Sequence, residues 1–333
     1  MLKINGKDES SYIGKTVSEY IKSADYKQSA LAVELNNEIL SKKAYDTTVL
    51  KDNDVLEIVC FMGGADMLIK LNGKNYKTNS QNISELVSET KNDNCVVIFE
   101  GFQTNENLEL SENCNVSLIQ KGVLPPLNEL EALISARHTP KVYDRLKESS
   151  VAVAGLGGLG SNIVMALARS GVGHIHIVDF DIVEPSNLNR QNYRIKDLGK
   201  YKTEALKEQV EEVNPFVKIT YENTKVTEDN AIELFKDYDI VCEAFDKAEY
   251  KAMLINTLLT ETKNVTVVSG SGMAGYESSN TIKTKKINNR FYICGDSVTP
   301  AEIGRGLMAP RVGICAMHQA NTILRLLLGI DEV

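Results

Sequence analysis

A chain of 333 residues exceeds one typical domain and falls short of three large ones, so two or three units are expected, each with an ordinary apolar core. Its formal net charge of -8 comes from acidic and basic side chains mixed along the sequence, which leaves no polycationic face for nucleic acid or anionic lipid. No run approaches the roughly 20 apolar residues of a membrane span and the N-terminus lacks the apolar core of a secretory signal, so a cytoplasmic protein that touches no membrane is expected.

In chain order, a short strand at Leu2 to Gly6 leads to a helical stretch near Val17 to Ser23. Strands follow at Leu31 to Leu35 and Val55 to Phe61, and the segment ends in Gly63-Gly64. Residues 67–122 start again with Leu68-Ile69-Lys70-Leu71-Asn72-Gly73, a helical stretch near Ile83 to Thr90, and strands at Val96 to Glu100 and Val116 to Gln120. The same plan is written twice, which predicts two small α+β domains at 1–65 and 67–122. A linker at 123–149 carries Leu124-Pro125-Pro126 and a predicted helix from Asn128 to Ser135, with Asn128 as N-cap.

From Ser150 the pattern changes to apolar runs alternating with helical stretches. Val151 to Ala154, Ile175 to Val178, Ile240 to Cys242 and Val265 to Val268 predict buried parallel strands, hence a doubly wound, Rossmann-like α/β domain over 150–333. The six cysteines (Cys60, Cys95, Cys114, Cys242, Cys294, Cys315) are scattered without a Cys-x-x-Cys pair, which predicts reduced, mostly buried thiols and no structural zinc.

Gly155-Leu156-Gly157-Gly158-Leu159-Gly160 follows the first of these strands and opens a helix from Asn162 to Ser170. Glycines at this spacing tighten the turn, let backbone N–H groups approach a phosphate and let helix pack on strand. Asp179, about twenty residues on at the end of the next strand, suits ribose hydroxyls. Taken alone, the set is compatible with NAD, FAD or ATP. Downstream lie Asp179 to Gln191 and Gly199-Lys200-Tyr201-Lys202, dense in cations. Hydride transfer does not need such cations, whereas chemistry at a phosphoryl group does, because charge builds there.

The run from Gly155 to Asn214-Pro215 resembles the adenylation domain shared by ThiF, MoeB and the ubiquitin-activating enzymes. The resemblance implies that Gly155, Gly157, Gly158 and Gly160 hold ATP, that Asp179 grips the ribose with Asp181 beside it, and that Asn187 and Arg190 contact the triphosphate with Gln191 next to them. Lys202, rather than the nearby Lys200, matches the lysine that neutralises phosphate charge. In Glu243-Ala244-Phe245-Asp246, Asp246 matches a magnesium-associated carboxylate and Glu243 replaces the motif's first acid; by position alone, Asp246 is equally a helix N-cap. Arg137 stands where the family sends an arginine into the neighbouring subunit's ATP site, which implies a homodimer; a surface arginine beside a proline turn is the competing reading. His138 reads as an orienting or surface residue.

Residues 1–64 resemble the ThiS sulfur carrier, on Ile4-Asn5-Gly6, Leu31 to Asn36, Val49 to Asp54 and Phe61-Met62-Gly63-Gly64. Together the resemblances imply an enzyme, a nucleotidyltransferase that uses ATP and magnesium to adenylate the C-terminal glycine of a ThiS-like carrier for the thiazole of thiamine. A molybdopterin-type carrier, an NAD-dependent oxidoreductase and a nucleotide-binding scaffold are the alternatives. Gly64 is in peptide linkage to Ala65, so either the chain is cut there or the attached copy is tethered and the substrate is a separate protein. Residues 67–122 look like a degenerate copy with Lys121-Gly122-Val123 at its end, suited to docking, dimer contact or packing. Glu302 occupies the place where covalently linking ThiF proteins carry a cysteine. Cys315, expected to open the last helix, reads as core, so thiolation after adenylation falls to another protein.

Overall fold

The computed structural model describes the chain apart from residues 25, 27–30, 61–65 and 140, and among the described residues the strands form two five-stranded sheets and one seven-stranded sheet. The expected Gly63-Gly64 tail and Phe61 lie outside the described residues. No helix among the described residues is long and apolar enough to cross a membrane. Two compact units are distinguished. One comprises Met1–Lys70, Lys74–Asp93 and Glu106–Cys114, the other Leu71–Gly73, Asn94–Asn105 and Asn115–Val333.

The first sheet contains β1 (Lys3–Ile4), β2 (Lys7–Asp8), β3 (Leu31–Leu35), β4 (Glu38–Leu40) and β5 (Val55–Cys60) in the order β2-β1-β5-β3-β4. Helix α1 (Val17–Ser23) starts where Thr16 Oγ1 accepts from Glu19 N at 3.2 Å and Thr16 N donates to Glu19 Oε2 at 2.7 Å, a reciprocal cap. It buries Val17, Tyr20 and Ile21 against Leu2, Ile4 and Leu56 of the sheet. The second sheet contains β6 (Met67–Leu71), β7 (Lys74–Thr78), β8 (Cys95–Phe99), β9 (Phe102–Thr104) and β10 (Asn115–Gln120), with α2 (Ile83–Glu89) between β7 and β8. Its order, β7-β6-β10-β8-β9, is that of the first sheet shifted by five strands, so the repeated sequence plan is a repeated ubiquitin-like topology.

Helices α3 (Leu127–Ser135) and α4 (Val142–Lys147) precede the large sheet. The N-cap of α3 is Pro126, not Asn128: Pro126 has extended backbone and no N–H to satisfy, so the helix begins directly after it.

The seven-stranded sheet contains β11 (Ser150–Ala154), β12 (His174–Val178), β13 (Lys218–Glu222), β14 (Ile240–Glu243), β15 (Thr266–Gly270), β16 (Lys283–Asn288) and β17 (Phe291–Gly295). The order is β13-β12-β11-β14-β15-β17-β16, with only β16 antiparallel to its neighbour among the described strands. Period-2 alternation sends Val151 and Val153 to one core, with α5 (Gly160–Arg169), α6 (Lys202–Val213) and α9 (Ala309–Leu327). Ala152 and Ala154 face the other core, with α7 (Glu228–Phe235) and α8 (Ala248–Glu261). The chain runs outward from β11 to β13 and then returns to β14 on the other side of β11, which creates a switch point with a crevice at the strands' carboxyl ends.

Cys315 does not open α9 but lies inside it, because the helix already begins at Ala309 with Pro310 in its first turn. Asp246 is not an N-cap, since Lys247 takes that position ahead of α8.

Candidate active site

The crevice at the switch point opens into a cavity of about 930 Å³ walled by the ends of β11, β12, β14 and β15. Gly155, Gly157, Gly158, Asp179, Asp181, Arg190, Gln191, Lys202 and Asp246 all line it. Gly160 and Asn187 stand back from the wall. Gly160 begins α5, where a Cβ would overlap the carbonyl oxygen of Gly155, so the loop closes on itself only without a side chain there. Asn187 Oδ1 accepts from Glu184 N at 2.9 Å and closes the turn that delivers Arg190. Arg137 is not in the wall; its Nη1 donates to Gln103 Oε1 at 3.2 Å.

The glycine loop is tied to the Arg190 segment by residues that sequence reading did not single out. Asn162 Nδ2 donates to the carbonyls of Gly158 at 2.7 Å and Arg190 at 3.1 Å, and Tyr193 Oη donates to Leu156 O at 2.8 Å. The aliphatic stem of Arg190 consequently lies beside Gly158. Opposite, Asp179 Oδ2 accepts from Leu156 N at 2.6 Å and Oδ1 from Asp181 N at 2.8 Å. Burial lifts the Asp179 carboxyl above its usual range, against the pull of Lys202 and of those two backbone donors. Lys202, buried at the first position of α6, donates to Asp181 Oδ2 at 2.8 Å, whereas Lys200 is turned to Glu208 and does not line this cavity.

Glu243 is the most enclosed acid of the site. It is fully buried and accepts from Phe245 N at 2.6 Å, Ser269 Oγ at 2.5 Å and Lys251 Nζ at 3.1 Å, so it organises the loop that exposes Asp246. A second cationic rim was not foreseen. Lys225 and Lys247 lie 4.9 and 5.6 Å from the ring centroid of Tyr250, and all three line the cavity. Lys247 is next to Asp246 in the sequence, but Lys225 follows β13, a strand the apolar pattern does not reveal.

Two features fit a nucleotide phosphate. A Cβ at Gly157 would meet only Gln191 Nε2, at 3.9 Å, so the backbone there faces room for a ligand. That Nε2 is an amide donor at the edge of the room, where a phosphate oxygen can accept from it, while the buried Oε1, an acceptor without a partner among the described residues, suits a hydroxyl or amino group rather than a phosphate. Among the described residues no three His, Cys, Asp or Glu side chains gather as metal ligands. Asp246, exposed on the cavity wall, would offer a hard divalent cation a carboxylate oxygen.

Cys294 and Cys315 are buried, and burial pushes the Cys315 thiol up to about 12, which holds it protonated. Glu302 is paired with Arg305 at 3.0 Å.

The ThiF family matches residues 130–333, well over half of the chain. The chain belongs to the ThiF family. Within this ThiF-family chain, the ThiS family matches residues 2–64 and the ThiS-like ubiquitin family residues 67–122. The adenylyltransferase and sulfurtransferase UBA4 of Candida glabrata is 34% identical over 193 residues, covering 56% of this chain and 44% of that protein. A probable molybdopterin-synthase adenylyltransferase of Porphyra purpurea is 31% identical over 204 residues, 57% of this chain and 51% of that one. The ThiF-family chain thus spans about half the length of the curated relatives it matches. Among solved structures, E. coli tRNA N6-threonylcarbamoyladenosine dehydratase, TcdA, in complex with ATP, shares the fold with a TM-score of 0.55 at 21% identity, over 62% of this chain and 98% of that one.

Proposed function

We propose that this ThiF-family chain is a nucleotidyltransferase that uses ATP to adenylate the C-terminal glycine of a ubiquitin-like sulfur-carrier protein. The observation that carries this reading is the convergence of the glycine loop, Asp179, Arg190, Lys202 and Asp246 on one cavity. Relatives named as adenylyltransferases support it.

In this reading a carboxylate oxygen of the carrier's terminal glycine attacks the α-phosphorus of ATP, the bond to the β-phosphate breaks, and pyrophosphate leaves. The attacking carboxylate is already ionised at pH 7, so no general base is required. Asp179 keeps lone pairs for the ribose, while Arg190 and Lys202 screen charge and fix the reactants in line. Asp246 would hold magnesium, which supplies further charge neutralisation at the phosphates. Arg137 would act in the site of a second copy within a homodimer. A hydride-transfer enzyme would leave Arg190 and Lys202 without a task.

Two destinations remain distinct proposals. The ThiS match of residues 2–64 supports thiamine thiazole formation, and the names of the relatives favour a molybdopterin-type or other sulfurtransferase-linked carrier. The matches over 2–64 and 67–122 support domains at 1–65 and 67–122, and the match over 130–333 supports an adenylation domain that takes in 150–333 together with most of the proposed linker 123–149. A cytoplasmic setting is part of the same proposal.

ATP–pyrophosphate exchange with each free carrier supplied in turn tests the reading: exchange with neither, under magnesium, overturns it. Normal exchange by an Asp246→Ala variant would remove the metal assignment. Intact mass of the purified chain separates cutting after Gly64 from tethering.

A further inference from the structure

The two ubiquitin-like sheets share a topology but differ at their hairpin tips. In the first, the β1–β2 tip is Asn5-Gly6, with positive φ at both residues; Asn5 Oδ1 accepts from Ile58 N at 2.6 Å, and a Cβ at Gly6 would meet nothing within 4 Å. The equivalent tip of the second sheet, Asn72-Gly73, keeps this geometry, with Asn72 Oδ1 accepting from Leu118 N at 2.9 Å. Here, however, Asn72 Nδ2 donates to Glu129 of α3 at 3.2 Å, and a Cβ on Gly73 would come within 2.5 Å of Ala132 Cβ.

The second hairpin tip of this sheet, Glu100-Gly101, is also closed. A Cβ on Gly101 would come within 3.0 Å of Thr139 Cα, and next to it Gln103 Oε1 accepts from Arg137 Nη1. Both tips therefore grip one short stretch, α3 and residues 137–139, that leads directly into the adenylation domain. The middle of α3 is held by Tyr143 of α4, which donates to Glu131 Oε1 at 2.9 Å and packs against Gly171, just after α5. Arg137 is exposed, and among the described contacts its guanidinium has one partner, Gln103. That bond orients the side chain and leaves most of its donors free.

We propose that the second ubiquitin-like sheet is a positioning module for Arg137, with Gln103 as the positioning residue and the Gly101–Thr139 contact setting the height of the strap. This rests on the reading of Arg137 as a phosphate-contacting residue in an adenylation reaction. Lacking a paired glycine at its end, the sheet has no carrier chemistry of its own to perform; what it contributes is the pre-orientation of a flexible cation. Preorganisation of this kind acts on the reaction step, since a misplacement of about 1 Å can cost on the order of 100-fold in rate.

The experiment is steady-state ATP–pyrophosphate exchange by the full chain with a free carrier, using Gln103→Ala, Gln103→Glu, Gly101→Ala and Arg137→Ala, each checked by thermal melting. Expected results are a kcat about fivefold lower for Gln103→Ala with KM for ATP unchanged, recovery in Gln103→Glu, which keeps the acceptor, and a larger loss, about tenfold, in Gly101→Ala. In an Arg137→Ala background, Gln103→Ala should have no further effect. A Gln103→Ala enzyme with wild-type kcat and KM, while Arg137→Ala is slow, overturns the positioning role and leaves the arginine's role standing. So does an equal loss from Gln103→Ala whether or not Arg137 is present. Wild-type exchange by Arg137→Ala overturns the arginine's role itself, and the positioning with it.

Discussion

Lys251 Nζ lies 3.1 Å from each carboxylate oxygen of Glu243, an acid with no exposed surface at the carboxyl end of β14. The pair sits behind the loop that presents Asp246, and Glu243 Oε1 also holds Phe245 N at 2.6 Å. Removing one partner of a buried pair leaves an uncompensated charge, at a cost of about 3–5 kcal/mol. Lys251→Met should therefore lower the melting temperature by about 2–4 °C for each kcal/mol lost in a unit of this size. Exchange activity should fall with it, because the Asp246 loop loses its anchor. Calorimetry checks this, and a Met variant that melts with the wild type would show that the pair is not what holds the loop.

The glycine loop separates a folding requirement from a binding one. At Gly160 an added methyl overlaps the Gly155 carbonyl oxygen, so Gly160→Ala should cost about 3 kcal/mol or more of stability. At Gly157 the same methyl has room within the protein but occupies the space assigned to a phosphate. Gly157→Ala should keep the wild-type melting temperature without nucleotide and lose at least about tenfold in ATP affinity, seen as a smaller ATP-induced rise in melting temperature. Equal ATP protection in Gly157→Ala would place the phosphates elsewhere.

How much of this was legible in the sequence follows from how local each signal is. The Gly155 to Gly160 loop, Asp179 and the apolar runs of β11, β12 and β14 report on their own backbone and burial, and a linear reading finds them. Strand β13 is a partly exposed edge strand, and β16 reads Lys-Thr-Lys-Lys-Ile-Asn, so neither shows an apolar run. Pro126 outranks Asn128 as the start of α3 because an extended proline ends one conformation and begins another. Lys225 over Tyr250 and Gln103 on Arg137 join residues 25 and 34 positions apart, and no spacing rule reaches that far.

Cys315 offers a test at alkaline pH. Burial raises its thiol from the ordinary 9.0 to about 12. A raised acid contributes stability that is complete below the unfolded value and is lost as pH rises through the folded one. Between pH 9 and 12 the unfolded chain therefore holds one proton fewer at this position than the folded chain. Over that range stability should decline less steeply in Cys315→Ala than in the wild type, by up to about 1.4 kcal/mol per pH unit. Chemical denaturation across the range measures the difference. At pH 8 the native Cys315 thiol should resist alkylation that the unfolded chain undergoes readily, and fast native labelling would reopen it as a nucleophile.

Arg311 governs the far wall of the cavity. Only 3% exposed, it donates from Nε to Ala274 O at 3.1 Å, from Nη1 to the carbonyls of Glu277 at 3.0 Å and Ser278 at 2.8 Å, and from Nη2 to Thr281 Oγ1 at 3.1 Å and to Asp296. Ala274 lines the cavity, and so does Thr299, whose hydroxyl donates to Asp296 Oδ2 at 2.6 Å. A planar fork with five donors spans these acceptors; the single ammonium of a lysine does not. Arg311→Lys should consequently behave nearly as badly as Arg311→Met, with about 3–5 kcal/mol lost in each. Because the loosened wall flanks the cavity rather than Arg190 or Lys202, the surviving folded enzyme should show KM for the carrier rising more than kcat falls. A lysine variant with wild-type stability and KM would show that charge alone, and not the geometry of the fork, holds the wall in place.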